Sequence, residues 1–403
     1  LLIFVMLGIT LVSGLNAEAA NNPANAKVLQ LQCEQLALVL NGRGSIESLK
    51  DAQGNERLLK EIPSPVLRLK TFSSESLEPP QRATWLQKDG TKWLELSFKN
   101  SSVTIRIQEK TTHLTLELTD VKGGQAELVM WGPYHINIKD QIAESLGAVY
   151  DDEYAVGIMA LNIKTCGGYK TPWDSYRGRV AVPAGKGAKL WAHARDRTRP
   201  RLFTYGNQKL IQVAPIKGET VIGTKIALYG TASRGLLKLV GAIEQAEGLP
   251  HPVHEGKWLK ESTYATSSKL ISNFNEKTFD DFLKLAEAAG ISCIYNPNIF
   301  RTWGTYEIDL GKFPGGMAAL KRCVEKARNR GITLGTHTLS NFIQVNDSLV
   351  TPIPHPDLLY AGQTTIKTAI DTKADEIVLA DDAPITAYDR TGRGKAHVVR
   401  IDD

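Results

Sequence analysis

Thr278-Phe-Asp-Asp-Phe-Leu-Lys-Leu-Ala-Glu-Ala-Ala-Gly290-Ile-Ser-Cys-Ile-Tyr295 carries two periodicities back to back. Phe279, Phe282, Leu283, Leu285 and Ala286 recur at helical spacing, Gly290 ends the helix, and an apolar strand follows at 291–295. The pattern repeats downstream: Gly316 to Arg330 reads as a helix, Gly331 as its C-cap, and Ile332-Thr-Leu-Gly-Thr-His337 as a strand. Upstream, Tyr264-Ala-Thr-Ser-Ser-Lys-Leu-Ile271 reads as a strand before the first helix. Strands alternating with glycine-capped helices predict a parallel sheet. Units of this length match the opening of a (β/α)8 barrel.

Eight such units need at least roughly 200 residues, whereas about 140 follow Tyr264. The barrel expected over 263–363 is therefore incomplete, limited to its first three βα units. Residues 364–403 read as a small β insert, with strands at Thr365–Ile370, Glu376–Leu379 and His397–Ile401. The chain is expected to be a fragment, clipped at both ends.

Working back from Tyr264, residues 242–262 form a linker that includes Gly248-Leu-Pro250-His-Pro252. Before it, 27–241 is β in texture. Trp93-Leu-Glu-Leu-Ser-Phe98, Val103-Thr-Ile-Arg-Ile107 and Leu114-Thr-Leu-Glu-Leu118 alternate, with turns at Asn41-Gly42, Lys88-Asp89-Gly90 and Gly123-Gly124 between the strands. Such spacing predicts an antiparallel β-sandwich. Ala37 to Leu49 and Asp51 to Gly54 read as strand, turn, strand, turn, and Ile46, Ser48, Leu49, Asp51 and Gly54, in the pattern I-x-S-L-x-D-x-x-G, mark a hairpin.

The composition fits two or three ordinary folded domains: 403 residues, 42% apolar, 23% charged, and a mean hydropathy of −0.20. It excludes a disordered, collagen-like or disulfide-framework chain. A net charge of +5 gives no indication of nucleic acid. The apolar run Leu1–Leu15, with Ala17-Glu18-Ala19 after it, reads as the core and cleavage site of a signal peptide at 1–19. Export with no integral membrane segment in the mature chain is the expectation. Four cysteines at positions 33, 166, 293 and 323 match neither zinc nor redox spacing. A Cys33–Cys166 bridge stays open.

In βα barrels the chemistry sits at the C-terminal ends of the strands. Here those ends carry Asn273 and Asn275, then Asn298, Arg301 and Trp303, then His337 and Asn341. Amides and imidazole hydrogen-bond hydroxyls, and an indole face stacks on a sugar ring. His337 is the candidate catalytic residue, as a proton shuttle. Asn273, Asn275, Asn298, Arg301, Trp303 and Asn341 are candidate substrate-binding residues. Glu276, Glu307, Asp309 and Asp347 are the nearby acids, and none stands out as half of a glycosidase pair. Arg195, Arg197, Arg199 and Arg201 read as a solvated loop or an anion contact. Walker, GxGxxG, GxSxG, HExxH and EF-hand patterns are lacking, and neither metal nor cofactor is expected.

Across Trp258–Leu359 the chain resembles secreted bacterial polysaccharide-utilisation proteins that pair a β-sandwich with an α-galactosidase-like barrel of the clan-D glycoside hydrolases. Phe313-Pro-Gly-Gly-Met317 before a helix and Gly331-Ile-Thr-Leu-Gly-Thr-His337 after it carry the likeness. The resemblance implies a glycoside hydrolase acting on a plant or algal polysaccharide or its oligosaccharides. In that family the catalytic Asp residues lie on the fourth and sixth strands, for which this chain has no matching positions. Asn273 and Asn275 stand near the place of the family's paired Asp after the first strand. Two alternatives stay open: a polysaccharide lyase using His337 and an arginine on a uronate, and a non-catalytic glycan-binding protein.

Overall fold

The computed structural model describes residues 28–144, 146–167, 181–205, 208–213, 215–339, 343–358 and 363–381. The signal-peptide expectation at 1–19, Asn341, and the strand expected at His397–Ile401 lie outside the described residues. The described chain is mostly β, with several antiparallel sheets and few helices. It divides into two compact units: Leu1–Arg201 with Val213–Pro250, and Leu202–Gln212 with His251–Asp403.

In the first unit, a four-stranded antiparallel sheet runs Leu29–Cys33, Leu36–Leu40, Ser45–Asp51, Ser64–Pro65. Every second residue of Leu29–Cys33 and Leu36–Leu40 is buried, as the two-residue period of a strand dictates. The turn marked by Asp51 forms because its Oδ1 accepts the backbone N–H of Gln53 and Asn55 at 2.9 and 2.8 Å. Arg57 pairs with the same buried carboxylate at 2.8 Å.

A second sheet is centred on the Ala126–Ile136 and Gly187–Arg195 strands, and a third has eight strands, from Gln141–Ala143 at one edge to Arg82–Lys88 at the other. Their apolar faces share one core with the four-stranded sheet. The layered antiparallel arrangement follows from strands that each hide one face. Inside this core the Trp131 indole N–H donates to Thr224 Oγ1 at 3.1 Å, and Tyr134 OH donates to the Val66 carbonyl at 2.7 Å. Both rings are fully buried, so each needs the partner it has.

The Leu236–Ala246 helix buries Leu236, Val240 and Ile243 and is followed by Glu247. The buried Glu247 carboxylate receives Lys110 Nζ, Lys225 Nζ at 2.6 Å and His113 Nε2 at 3.0 Å. All four cysteines are free thiols, so the Cys33–Cys166 bridge left open by the sequence is not formed. The arginine-rich loop is engaged locally. Arg195 pairs with Glu127 at 3.1 Å, and Arg199 lies 3.8 Å over the Phe72 ring and donates to Gln125.

In the second unit, Lys269–Ile271, Cys293–Tyr295 and Thr333–Gly335 form a parallel sheet in that order, with Ile271, Tyr295 and Gly335 in register. The Phe279–Ala288 and Gly316–Arg328 helices follow the first and second strands. Each helix ends as its glycine dictates. Gly290 and Gly331 have φ of +65° and +68°, and the next residue's N–H reaches back to Ala286 and Ala327 at 2.8 and 3.0 Å. Phe274 is fully buried against Phe279, Phe282 and Phe313, at ring separations of 4.8, 6.5 and 6.0 Å. Outside this core, Glu276–Arg322, Asp280–Lys326 and Glu287–Arg330 pair at 2.6, 2.8 and 2.9 Å.

Two strand expectations change. Tyr264 lies in a single helical turn, Thr263–Thr266, and the strand itself starts only at Lys269. The expected strands at Thr365–Ile370 and Glu376–Leu379 reduce to one bridge, Ile366 to Leu379. Neither segment is covered on a face: Ile377 and Val378 remain 41% and 46% exposed, and a strand without a buried face gains little by extending. Among the described residues three strands are parallel, and a closed barrel is not described.

Candidate functional site

The site is built where the second and third parallel strands end. Tyr295, the last residue of its strand, hydrogen-bonds through its hydroxyl to His337 Nδ1. The two rings lie nearly parallel, with centroids 5.9 Å apart and planes inclined by 14°. Trp303 approaches His337 from the following loop, centroid to centroid 5.8 Å at 59°. A phenol donates more readily than it accepts, so this partner favours the imidazole tautomer with its proton on Nε2. That nitrogen is then a donor for a hydroxyl or glycosidic oxygen.

The strand ends are tied together by Asn296, whose side chain is fully buried. Its Nδ2 donates to the Phe274 carbonyl at 2.8 Å, its Oδ1 accepts the Asn298 N–H at 2.9 Å, and its own N–H reaches the Gly335 carbonyl at 2.9 Å. Through its side-chain amide and its backbone N–H, this one residue links the segments at all three strand ends. It resembles a loop residue in the sequence because burial is not written in the Asn-Pro-Asn triplet. Tyr295 was missed for a related reason: an aromatic at a strand end reads as core. Its one available signal was its place directly before the Asn296-Pro-Asn298 loop.

The loop after Asn296 closes as a hairpin, with Phe300 bridged to Ile308 and the Arg301 N–H on the Glu307 carbonyl at 2.8 Å. Arg301 also pairs through its guanidinium with Glu307, and both side chains are largely exposed. Asn298 is exposed, and its carbonyl accepts Lys312 Nζ at 2.6 Å. Asn273 is exposed. The Asn275 Oδ1 accepts the N–H groups of Lys277 and Thr278 at 2.9 and 3.0 Å, which forms the turn leading into the first helix. The geometry thus joins Trp303 and His337 directly, adds Tyr295, and places Asn298 and Arg301 on the Trp303 loop.

The four nearby acids are each committed. Glu276 pairs with Arg322, Glu307 with Arg301, and Asp309 accepts the Gly311 N–H at 2.9 Å. Asp347 is fully buried and accepts the Leu349 and Thr305 N–H groups and the Thr305 hydroxyl at 3.0, 3.0 and 2.8 Å. Burial alone would push its carboxyl up, but these donors outweigh it and hold it down at about 2. Among the described residues, no group of three or more His, Cys, Asp or Glu is placed to hold a metal ion. No helix among them is long and apolar enough to cross a membrane.

No family model and no curated protein match the chain. Solved structures similar to it include the α-galactosidase from Lactobacillus brevis, at 9% identity over 80% of this chain and 56% of that one, with a TM-score of 0.36. The α-galactosidase of Thermus thermophilus, in complex with p-nitrophenyl α-D-galactopyranoside, is 12% identical over 64% and 51%, with a TM-score of 0.30. A β-arabinopyranosidase is 13% identical over 77% and 55%, with a TM-score of 0.36. The chain thus spans about half the length of these structures. At such identities and TM-scores, the function has to be argued from this chain's own residues.

Proposed function

We propose that this chain is part of an exported glycoside hydrolase, that its three parallel strands belong to a (β/α)8 barrel, and that their ends bind a neutral plant or algal glycan. The observation that carries the reading is the convergence of Tyr295 and Trp303 on His337 at the strand ends. An indole face beside a hydrogen-bonding imidazole suits a pyranose, which offers an apolar face and a rim of hydroxyls. His337 donates through Nε2 to a substrate oxygen, and the Tyr295 hydroxyl fixes which ring nitrogen holds the proton.

Hydrolysis also needs two carboxyl groups across the scissile bond. The acids at these strand ends are tied to cations or backbone donors, so the proposal assigns the described residues to binding and orientation. The lyase reading is weaker on one specific observation. A uronate needs a free cation, whereas Arg301 is occupied by Glu307, whose carboxylate repels an acidic sugar. Export rests on the apolar run at 1–15 and its cleavage site, and N-terminal sequencing of secreted protein should give a start just after Ala19.

The test is affinity electrophoresis of the chain through gels holding galactomannan or polygalacturonate. Galactomannan should retard the wild type, and Trp303→Ala or His337→Ala should weaken retention by about tenfold or more. Retardation by polygalacturonate alone, with an ultraviolet-absorbing unsaturated product, would overturn the hydrolase reading for the lyase. Equal retention of both variants and wild type would remove the site from the strand ends.

A further inference from the structure

Trp303 is held in place by the stretch that follows His337 in the chain. The Gln344 N–H donates to the Trp303 carbonyl at 2.8 Å, and the Trp303 N–H donates back to Gln344 Oε1 at 3.0 Å. Two residues on, the Thr305 N–H and hydroxyl both donate to Asp347 Oδ2, at 3.0 and 2.8 Å. Between them, Gly304 takes a φ of +138°, and a Cβ there would stand 2.6 Å from Asp347 Cγ. Only glycine lets the carboxylate come this close to the backbone. The Asp347 carbonyl meanwhile accepts the Val350 and Thr351 N–H groups, both at 2.9 Å, and closes its own turn.

Three consecutive residues, Trp303 to Thr305, are therefore clamped by Gln344 and a fully buried Asp347. The acid in the clamp stays ionised well below neutral pH because its donors hold its carboxyl at about 2. A buried carboxylate with several converging donors fixes geometry more firmly than an exposed pair does. Its place is also specific, because the residues it clamps include Trp303, which lies against His337.

We propose that Asp347, assisted by Gln344, is the positioning residue of the glycan site: it sets the Trp303 ring against His337 before ligand arrives. The assignment rests on the reading that Trp303 and His337 contact glycan. Its chemical content is preorganisation, since a wall already in place loses little side-chain freedom on binding.

The experiment uses the whole chain labelled with 5-fluorotryptophan. The Trp303 fluorine line is assigned by its loss in Trp303→Phe. Spectra without glycan are compared for wild type, Asp347→Asn and Gln344→Ala, alongside galactomannan affinity electrophoresis. Asp347→Asn puts an amide donor against the Thr305 and Leu349 donors. It should shift or broaden the Trp303 line, leave the other tryptophan lines in place, and weaken retention by about tenfold. Gln344→Ala should act in the same direction and less.

An unmoved Trp303 line in Asp347→Asn would overturn the proposal, as would a moved line with undiminished retention. If wild type is not retained by galactomannan, the glycan reading fails, and the positioning role fails with it only if the Trp303 line also stays unmoved. Should Asp347→Asn disturb every line, Thr305→Val, which removes one donor and leaves the carboxylate, gives the same decision on a milder change.

Discussion

Both units hold buried polar atoms without a partner among the described residues: Arg68 Nε and Ser233 Oγ in the antiparallel unit, and a larger group in the parallel one. In the first, Glu247 is enclosed by Lys110, Lys225 and His113, and the Trp131–Thr224 bond continues to Thr165 at 2.9 Å. In the second, the buried Trp258 Nε1, Ser262 Oγ, Ser272 Oγ, Ser292 Oγ and Tyr306 hydroxyl have no partner among the described residues, and Ile271 is 70% exposed at the end of the first parallel strand. Long alternating strands, up to eleven residues in Ala126–Ile136, close a core on themselves. Strands of three residues do not. Of the unpartnered atoms in the parallel unit, Ser272 Oγ and Ser292 Oγ flank the short parallel strands, and the others lie in the segments around them.

Three measurements can break or sharpen that contrast. The largest effect is expected in the second unit's core. Phe274→Ala, with three aromatic neighbours and no exposure, should cost about 3–5 kcal/mol. Hydrogen exchange in peptides covering 279–295 and 316–334 is the readout. A loss below about 1 kcal/mol would mean that this small core is not what holds the parallel strands.

Next is the ion cluster of the first unit. Burial raises the Glu247 carboxyl, but Lys110, Lys225 and His113 outweigh it and hold it at about 2 against an ordinary 4.5. A depressed acid stabilises the fold fully above its unfolded value, and that stability is lost as pH falls from about 4.5 through about 2. His113 adds to the loss from nearer neutrality: burial holds its folded value below the ordinary 6.5, so the unfolded chain binds its proton first. Glu247→Gln should cost about 2–3 kcal/mol at pH 7 and flatten the fall in urea midpoint below pH 4.5. A variant whose profile runs parallel to wild type would show that the cluster does not couple to folding.

The smallest effect is expected on the surface of the second unit. Asp280 and Lys326 are about half exposed, at 52% and 51%. Asp280→Asn should change stability by about 0.2–1 kcal/mol. The difference should shrink further in a thermal melt at high salt, where screening shortens the reach of exposed charges. A cost several times larger would make this ion-pair ladder, rather than the phenylalanine cluster, the organiser of the two helices.

Much of the architecture was legible before any coordinates. The two-residue period over Trp93–Leu118, the helical period over Phe279–Ala288, and the glycine stops at 290 and 331 are statements about neighbours one to five residues apart. The site was legible only in part. Trp303 and His337 stood out as chemistry-bearing residues near strand ends, and the fold brings them together. Asn275 carried the same compositional signal and is spent on a turn. Asp347 was one of four unremarkable acids, because its burial comes from residues that are distant in sequence.

By itself, then, the sequence determined where the two long helices of the second unit stop and which first-unit strands alternate, since propensity, period and capping act within a turn or two of chain. It overextended the first parallel strand and the segments at 365–379. Tertiary structure alone decided that Tyr295 meets His337 and that Thr305 meets Asp347, each across 42 residues. Such pairs depend on strand register and loop closure. A carboxylate gathers converging donors, and an imidazole gains a hydrogen-bond partner, only when the fold delivers distant groups to it.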